Sequence, residues 1–213
     1  KTFSKFRVMK FPTVKVCGNT DPEIIKLCVE LGASLIGFII NYPKSPRSIS
    51  VDKLKKLTSN IPKNIKKVAV MVNPTIDDVK EISNYCNTIQ LHGDEDNKFI
   101  NIIKKLTNLE VIKVIKIIKK NDLETMQNYP SANEILLDTP AMGQSGEAFN
   151  FDLLKDIEHN KYFLAGKIDI NNVKSALEYT DKIDVNSGLE TEKGIKDPKK
   201  IKDFFTKVRS NEN

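Results

Sequence analysis

Short apolar runs rich in β-formers alternate along this chain with longer stretches in which apolar residues recur at helical spacing. The runs predict strands at Thr13–Cys17, Ser34–Ile40, Lys67–Val72, Thr88–Leu91, Val111–Ile117, Glu134–Asp138, Tyr162–Ala165 and Lys182–Val185. Each is followed by a helical stretch. The first spans Asp21–Leu31, where Ile24, Leu27, Cys28 and Leu31 share a face and Gly32 supplies a C-terminal stop. The others are Val51–Ser59, Ile76–Tyr85, Asn97–Leu106, Leu123–Asn128, Phe151–Glu158, Ile170–Tyr179 and Pro198–Val208. Helix openers precede two of them, Asn73-Pro74-Thr75 and Asp197.

Eight strand–helix units of about 25 residues predict a single-domain (β/α)8 barrel, an α/β fold. A doubly wound sheet, the alternative, usually stops at five or six strands. No Gly/Ser/Pro-rich linker divides the chain, so residues 12–209 read as one barrel. A basic extension, 1–11, precedes it and a tail, 210–213, follows. In such a barrel the active face is built at the C-terminal ends of the strands.

Composition adds exclusions. The 213 residues are enough for one sizeable core, and 39% hydrophobic with 29% charged residues suits a globular chain. The longest apolar run, Ser34 to Ile40, falls far short of the roughly 18 residues of a membrane span. The net charge of +6 comes from scattered lysines without aromatic interleaving and with no Trp, which argues against a nucleic-acid groove. Cys17, Cys28 and Cys86 are odd in number and lack CxxC spacing, so a reducing compartment is expected. His92 and His159 are too few and too separated for a His-based metal site, and no metal is expected. The expected location is the cytoplasm, or an organelle if the basic segment 1–11 is the end of a trimmed transit peptide.

The strand ends carry the candidate chemistry. Cys17 closes the first strand and faces a Gly turn, Gly18. Arg47, one of only three arginines, sits in the stiff loop Pro43-Lys44-Ser45-Pro46-Arg47, where a planar group suits bidentate binding of a carboxylate or phosphate. Alternation turns Gln90 and His92 to one face of the fourth strand. Asp138 ends an apolar run, so it is either a loop cap or a desolvated carboxyl kept protonated for general-acid work. Asp184 and Asn186 share a face of the last strand, ahead of Ser187-Gly188. With Gly146 and Gly166-Lys167 in neighbouring loops, these glycine turns suit backbone N–H groups approaching a phosphate.

Six runs, taken together, resemble the phosphoribosylanthranilate isomerase family: Val16-Cys17-Gly18-Asn19-Thr20; Lys44-Ser45-Pro46-Arg47-Ser48 after Gly37-Phe38; Val70-Met71-Val72-Asn73; Gln90-Leu91-His92-Gly93-Asp94-Glu95; Leu136-Leu137-Asp138-Thr139; and Asp184 through Glu190. The resemblance spans about residues 12 to 208. It implies a (β/α)8 enzyme of tryptophan biosynthesis that performs an Amadori rearrangement. The substrate would be N-(5'-phosphoribosyl)anthranilate and the product 1-(2-carboxyphenylamino)-1-deoxyribulose 5-phosphate, with no cofactor. Carried over by position, Cys17 is the general base and Asp138 the general acid. Arg47 clamps the anthranilate carboxylate, and Asp184 steadies the substrate's amine or a sugar hydroxyl. Gln90, His92 and Asn186 complete the binding wall, and Gly146, Gly166, Lys167, Ser187 and Gly188 lie near the phosphate. The expected partner is this small phosphoribosyl substrate, on a monomer or homodimer, with no nucleic acid or membrane. The alternative is an inactive or repurposed barrel that binds a sugar phosphate. The family usually has Gly-Gly where this chain has Gly166-Lys167, and Lys where it has Glu147.

Overall fold

A computed structural model describes residues 11–139 and 149–210. Eight parallel strands close into a barrel: β1 Thr13–Val16, β2 Leu35–Ile40, β3 Lys66–Met71, β4 Thr88–Leu91, β5 Glu110–Lys116, β6 Glu134–Asp138, β7 Tyr162–Leu164 and β8 Lys182–Val185. Neighbours in sequence are neighbours in the sheet. Closure comes from β1, which pairs with β2 at Lys15↔Leu35 and with β8 at Lys15↔Asp184.

Alternation sorts the strand side chains into two shells. Val14, Val16, Ile36, Phe38, Ile89 and Leu137 point outward into the large core beneath the helices. Leu35, Val68, Val70, Ile112, Val114, Leu136 and Phe163 fill the barrel itself. Parity therefore decides which polar residues enter the barrel. Lys15, Cys17, Gln90, Asp138 and Asp184 carry inward parity and are buried.

The helices are α1 Pro22–Glu30, α2 Val51–Thr58, α3 Ile76–Ile82, α4 Asn97–Leu106, α5 Val173–Leu177 and α6 Pro198–Arg209. Polar caps start most of them. Asp21 accepts from the Glu23 amide at 2.8 Å, Asp96 from the Phe99 amide at 2.8 Å and Asp197 from the Lys200 amide at 2.8 Å. Thr75 and Asp78 form a reciprocal capping box.

Two expected helices are 3-10 segments instead. Leu123–Asn128 lies within Lys120–Asn128, which has no buried residue, and Phe151–Glu158 shortens to Phe151–Leu154. Leu123 and Met126 in the first and Phe151, Leu153 and the buried Leu154 in the second pack against the core, but each apolar face is too short to extend a regular α-helix. The expected Ile170–Tyr179 helix shortens to α5, and Asp169 and Asn172 tie its approach through the Asp169 amide and Asn172 Oδ1 at 2.9 Å. A hairpin unforeseen in the sequence, Glu190–Glu192 with Ile195–Lys196, turns at Gly194, whose φ of +89° suits glycine. A short strand, Ser48–Ile49, extends the sheet beside the end of β2.

Candidate active site

Above the strand ends lies a cavity of about 450 Å³. Its walls bring together Cys17, Arg47, Gln90, His92, Asp138, Asp184 and Asn186, with Gly166, Lys167 and Ser187 along one side. Gly188 does not line it. Its Cα is packed against the Ile168 carbonyl, where a Cβ would sit 2.2 Å from that oxygen. Gly146 lies outside the described residues.

The floor is a buried ion pair. Lys15 is fully buried, and its Nζ donates to Asp184 Oδ1 at 2.9 Å. The same ammonium reaches up the barrel to Cys17. Gly37, facing inward from β2, makes the room, since a Cβ there would stand 3.1 Å from both Cys17 Sγ and Lys15 Nζ. Burial acts to neutralise Lys15, and Asp184 and Cys17 outweigh it, holding its pKa above the usual lysine value. Burial also pushes the Cys17 thiol up, while the Lys15 charge and hydrogen bond pull it down; the net direction is upward. Cys17 thus rests as a thiol beside the cation that a thiolate needs.

Asp138 ends β6 with its carboxyl buried. Burial raises its pKa to about 7, against the opposing Thr139 amide, which donates to Oδ1 at 2.8 Å. His92 Nε2 stands 3.5 Å from Asp138 Oδ2. Burial, reinforced by Lys116, Lys15 and Lys113, lowers the His92 pKa to about 4, so the imidazole is neutral at physiological pH. The contact is therefore a polar neighbour rather than an ion pair. Gln90 Oε1 and His92 Nε2 are buried in the wall without a hydrogen-bond partner among the described residues.

Arg47 enters from the loop after β2. Its Nε and Nη2 donate to Glu190 Oε1 and Oε2 at 2.7 and 2.6 Å. Its stem crosses Gly18, where a Cβ would lie 2.7 Å from Arg47 Cδ; Gly18 also holds a φ of +70°. Asn186 Oδ1 accepts from Lys196 Nζ at 3.0 Å. On the opposite side Gly166 has φ +90° and Lys167 φ +55°. A left-handed non-glycine residue costs on the order of 1 kcal/mol and commonly marks a functional turn.

Lys15, Glu190 and Lys196 stand out in the folded structure more than along the chain. Lys15 shares a strand face with Cys17, yet about 7 Å separates alternate residues on that face. The long lysine side chain closes the gap, which strand geometry alone does not reveal. Glu190 and Lys196 belong to the unforeseen hairpin. Their signal was burial of two charged residues in a short Gly-turned segment, which needs the tertiary structure to be seen.

The fold and the rim cavity are those of a (β/α)8-barrel enzyme with acid–base groups at the C-terminal strand ends. The family model for N-(5'-phosphoribosyl)anthranilate (PRA) isomerase matches residues 14–207. The N-(5'-phosphoribosyl)anthranilate isomerase of Aquifex aeolicus is 39% identical over 206 residues, covering 92% of this chain and 98% of the relative. The crystal structure of phosphoribosyl anthranilate isomerase from Thermotoga maritima superposes with a TM-score of 0.84 at 32% identity, covering 93% of this chain and 99% of that one. Another phosphoribosyl anthranilate isomerase, crystallised with reduced 1-(o-carboxyphenylamino)-1-deoxyribulose 5-phosphate, gives 0.81 at 30% identity over 93% and 99%. The chain belongs to the N-(5'-phosphoribosyl)anthranilate isomerase family, enzymes of tryptophan biosynthesis.

Proposed function

We propose that this chain isomerises N-(5'-phosphoribosyl)anthranilate with Asp138 as the acid and Cys17 as the base. The observation that carries the reading is the pairing of a carboxyl held protonated to about pH 7 with a thiol set beside the buried Lys15 ammonium, in one cavity. Asp138 gives its proton to the furanose ring oxygen as the C1'–oxygen bond breaks, and the nitrogen lone pair forms the Schiff base. Cys17, as thiolate, takes the proton from C2' and leaves an enolamine. Tautomerisation moves the Cys17 thiol proton to C1' and the C2' hydroxyl proton to the Asp138 carboxylate. Cys17 and Asp138 thereby return to their starting states. Each proton transfer by a positioned group is worth roughly 10²–10⁴ in rate.

Lys15 steadies the charge that forms on Cys17, and Asp184 keeps Lys15 charged and in place. This gives Asp184 a role beneath the substrate in addition to any contact with it. Arg47 takes the aromatic carboxylate. Gly166, Lys167 and Ser187 hold the phosphate at the side of the cavity, where a left-handed turn suits the binding of an anion by backbone N–H groups. The partner is thus a small phosphoribosyl compound.

Adding the purified chain to freshly formed N-(5'-phosphoribosyl)anthranilate tests the reading. The anthranilate fluorescence should decay catalytically, with many substrate molecules consumed per chain. A folded sample that binds the substrate but leaves the fluorescence intact would instead establish a sugar-phosphate-binding barrel.

A further inference from the structure

The Arg47 guanidinium is already engaged by a carboxylate, which raises the question of how it receives a second one. Glu190 takes the side edge of the group, Nε–H and one Nη2–H, in a bidentate pair. A guanidinium has five N–H donors in a rigid plane. The terminal edge, Nη1 with the second Nη2–H, has no partner among the described residues and belongs to a residue that lines the cavity.

Charge is the second half of the problem. An Arg47–Glu190 pair alone is neutral, and a carboxylate at the terminal edge would feel Glu190 across the same plane. Lys196 resolves this. Its Nζ donates to Glu190 Oε1 at 3.2 Å and to the Asn186 O and Oδ1 at 3.2 and 3.0 Å. Its side chain is 3% exposed and that of Glu190 4%. The Gly194 amide also donates to Glu190 Oε2 at 3.2 Å, and Lys200 Nζ to the Glu190 carbonyl at 2.6 Å. A half-buried Arg47 and a buried Lys196 on one buried anion give the cluster a formal charge of plus one, with Glu190 opposing the burial that lowers the Lys196 pKa. The cations are reached only because the Glu190–Lys196 hairpin folds back over the Ser45-Pro46-Arg47 loop, with Gly194 against Pro46.

We propose that Arg47, Glu190 and Lys196 form a prebuilt receptor for the aromatic carboxylate of the substrate. Glu190 orients the guanidinium so that its terminal edge faces the cavity, and Lys196 cancels the Glu190 charge. Both are positioning residues that act through Arg47. The inference rests on the isomerase reading above and assigns two residues to it.

The two roles predict opposite kinetic signatures. Lys196→Gln keeps a donor for Asn186 but removes the charge that makes the cluster attractive to an anion. KM should rise by about tenfold or more with kcat largely kept, since removing one partner of a buried charge pair weakens binding. Glu190→Gln leaves two cations and a loosened guanidinium. Carboxylate binding should persist, while kcat falls about tenfold because the substrate is no longer aimed at Cys17 and Asp138. Binding of the reduced product analogue, with and without its aromatic carboxylate, separates these effects from simple damage. The wild-type chain should prefer the carboxylated analogue by at least about tenfold. Lys196→Gln should lose that preference and Glu190→Gln should keep it, with affinity for the carboxylate-free analogue within about twofold of wild type in both. Equal loss of both analogues in both variants, or a preference unchanged in Lys196→Gln, overturns the proposal. A wild-type chain that binds both analogues without preference also overturns it. One that binds neither overturns the isomerase reading of the cavity itself.

Discussion

The two ends of the barrel carry similar charged residues and use them differently. At the N-terminal end a smaller cavity of about 250 Å³ is lined by Lys66, Glu110, Glu134 and Lys182. Lys66 pairs with Glu110, and Lys182 Nζ donates to Glu134 Oε2 at 2.8 Å. Every cation there has one anion. The side chains are partly open, 43% and 44% exposed in the first pair, so water screens the charges. At the C-terminal end Lys15 and Asp184 are buried, the Asp138 carboxyl is buried without a cation in contact among the described residues, and two cations surround Glu190. Gln90 Oε1, His92 Nε2 and Thr139 Oγ1 are buried there without partners among the described residues. Such groups cost stability. The lesson is that one end spends its polar groups on closing the barrel, and the other keeps them unbalanced for a ligand.

The largest expected effect is on turnover. Asp138→Asn and Cys17→Ser should each lower kcat by roughly 10²–10⁴ while near-native circular dichroism is retained. Either variant keeping near-wild-type turnover would remove that residue from the acid–base pair.

The next effect is on the pH profile. Below about pH 7 Asp138 is the acid form. Cys17 ionises only above the usual thiol value. The productive form, carboxylic acid with thiolate, is then a minor species whose population rises to about pH 7, stays level, and falls once the thiol titrates. kcat/KM should follow that bell. Lys15→Met removes a group that pulls the Cys17 pKa down, so the alkaline limb should move up and the plateau drop by about tenfold or more. A profile unchanged in Lys15→Met would detach the ammonium from the base.

Stability should move the other way. The folded Asp138 pKa of about 7 lies above that of an unfolded carboxyl. Between the two values the unfolded chain ionises and the folded chain does not, so wild-type stability falls as pH rises from about 4 to 7. Asp138→Asn lacks this penalty. At pH 8 it should unfold at higher denaturant than wild type, by ~2–4 kcal/mol, and the gap should close below about pH 4. A gap that is the same at pH 4 and pH 8 would mean that the carboxyl is not held neutral by burial.

The smallest effect belongs to the other end. Glu110→Gln should cost under about 1 kcal/mol and leave kcat unchanged, as half-exposed pairs are weak. A large loss of activity there would erase the contrast between the two ends.

Much of this contrast was legible in the sequence. The strands were readable because period-two burial and apolar runs coincide, so β4, β6 and β8 begin and end where the pattern does. Cys17, Gln90, His92 and Asp138 follow from parity plus position at strand ends. The weak helices were not readable, since Lys120–Asn128 has helical composition but only Leu123 and Met126 half-buried against the core. Nor was the Lys15–Asp184 contact, which joins residues 169 positions apart through barrel closure. The Glu190 cluster required knowing that a hairpin folds back onto the Arg47 loop, a fact of tertiary packing that no local pattern carries.

The acid and base assignments are separated most directly by substrate deuterated at C2'. A step that becomes slowest expresses its full isotope effect. In Cys17→Ser, proton abstraction should limit the reaction and the deuterium effect on kcat should grow above the wild-type value. In Asp138→Asn, ring opening should limit it and the effect should shrink toward unity. An isotope effect that is unchanged in Cys17→Ser, or that grows in Asp138→Asn, would contradict the assignment of Cys17 as the base and Asp138 as the acid.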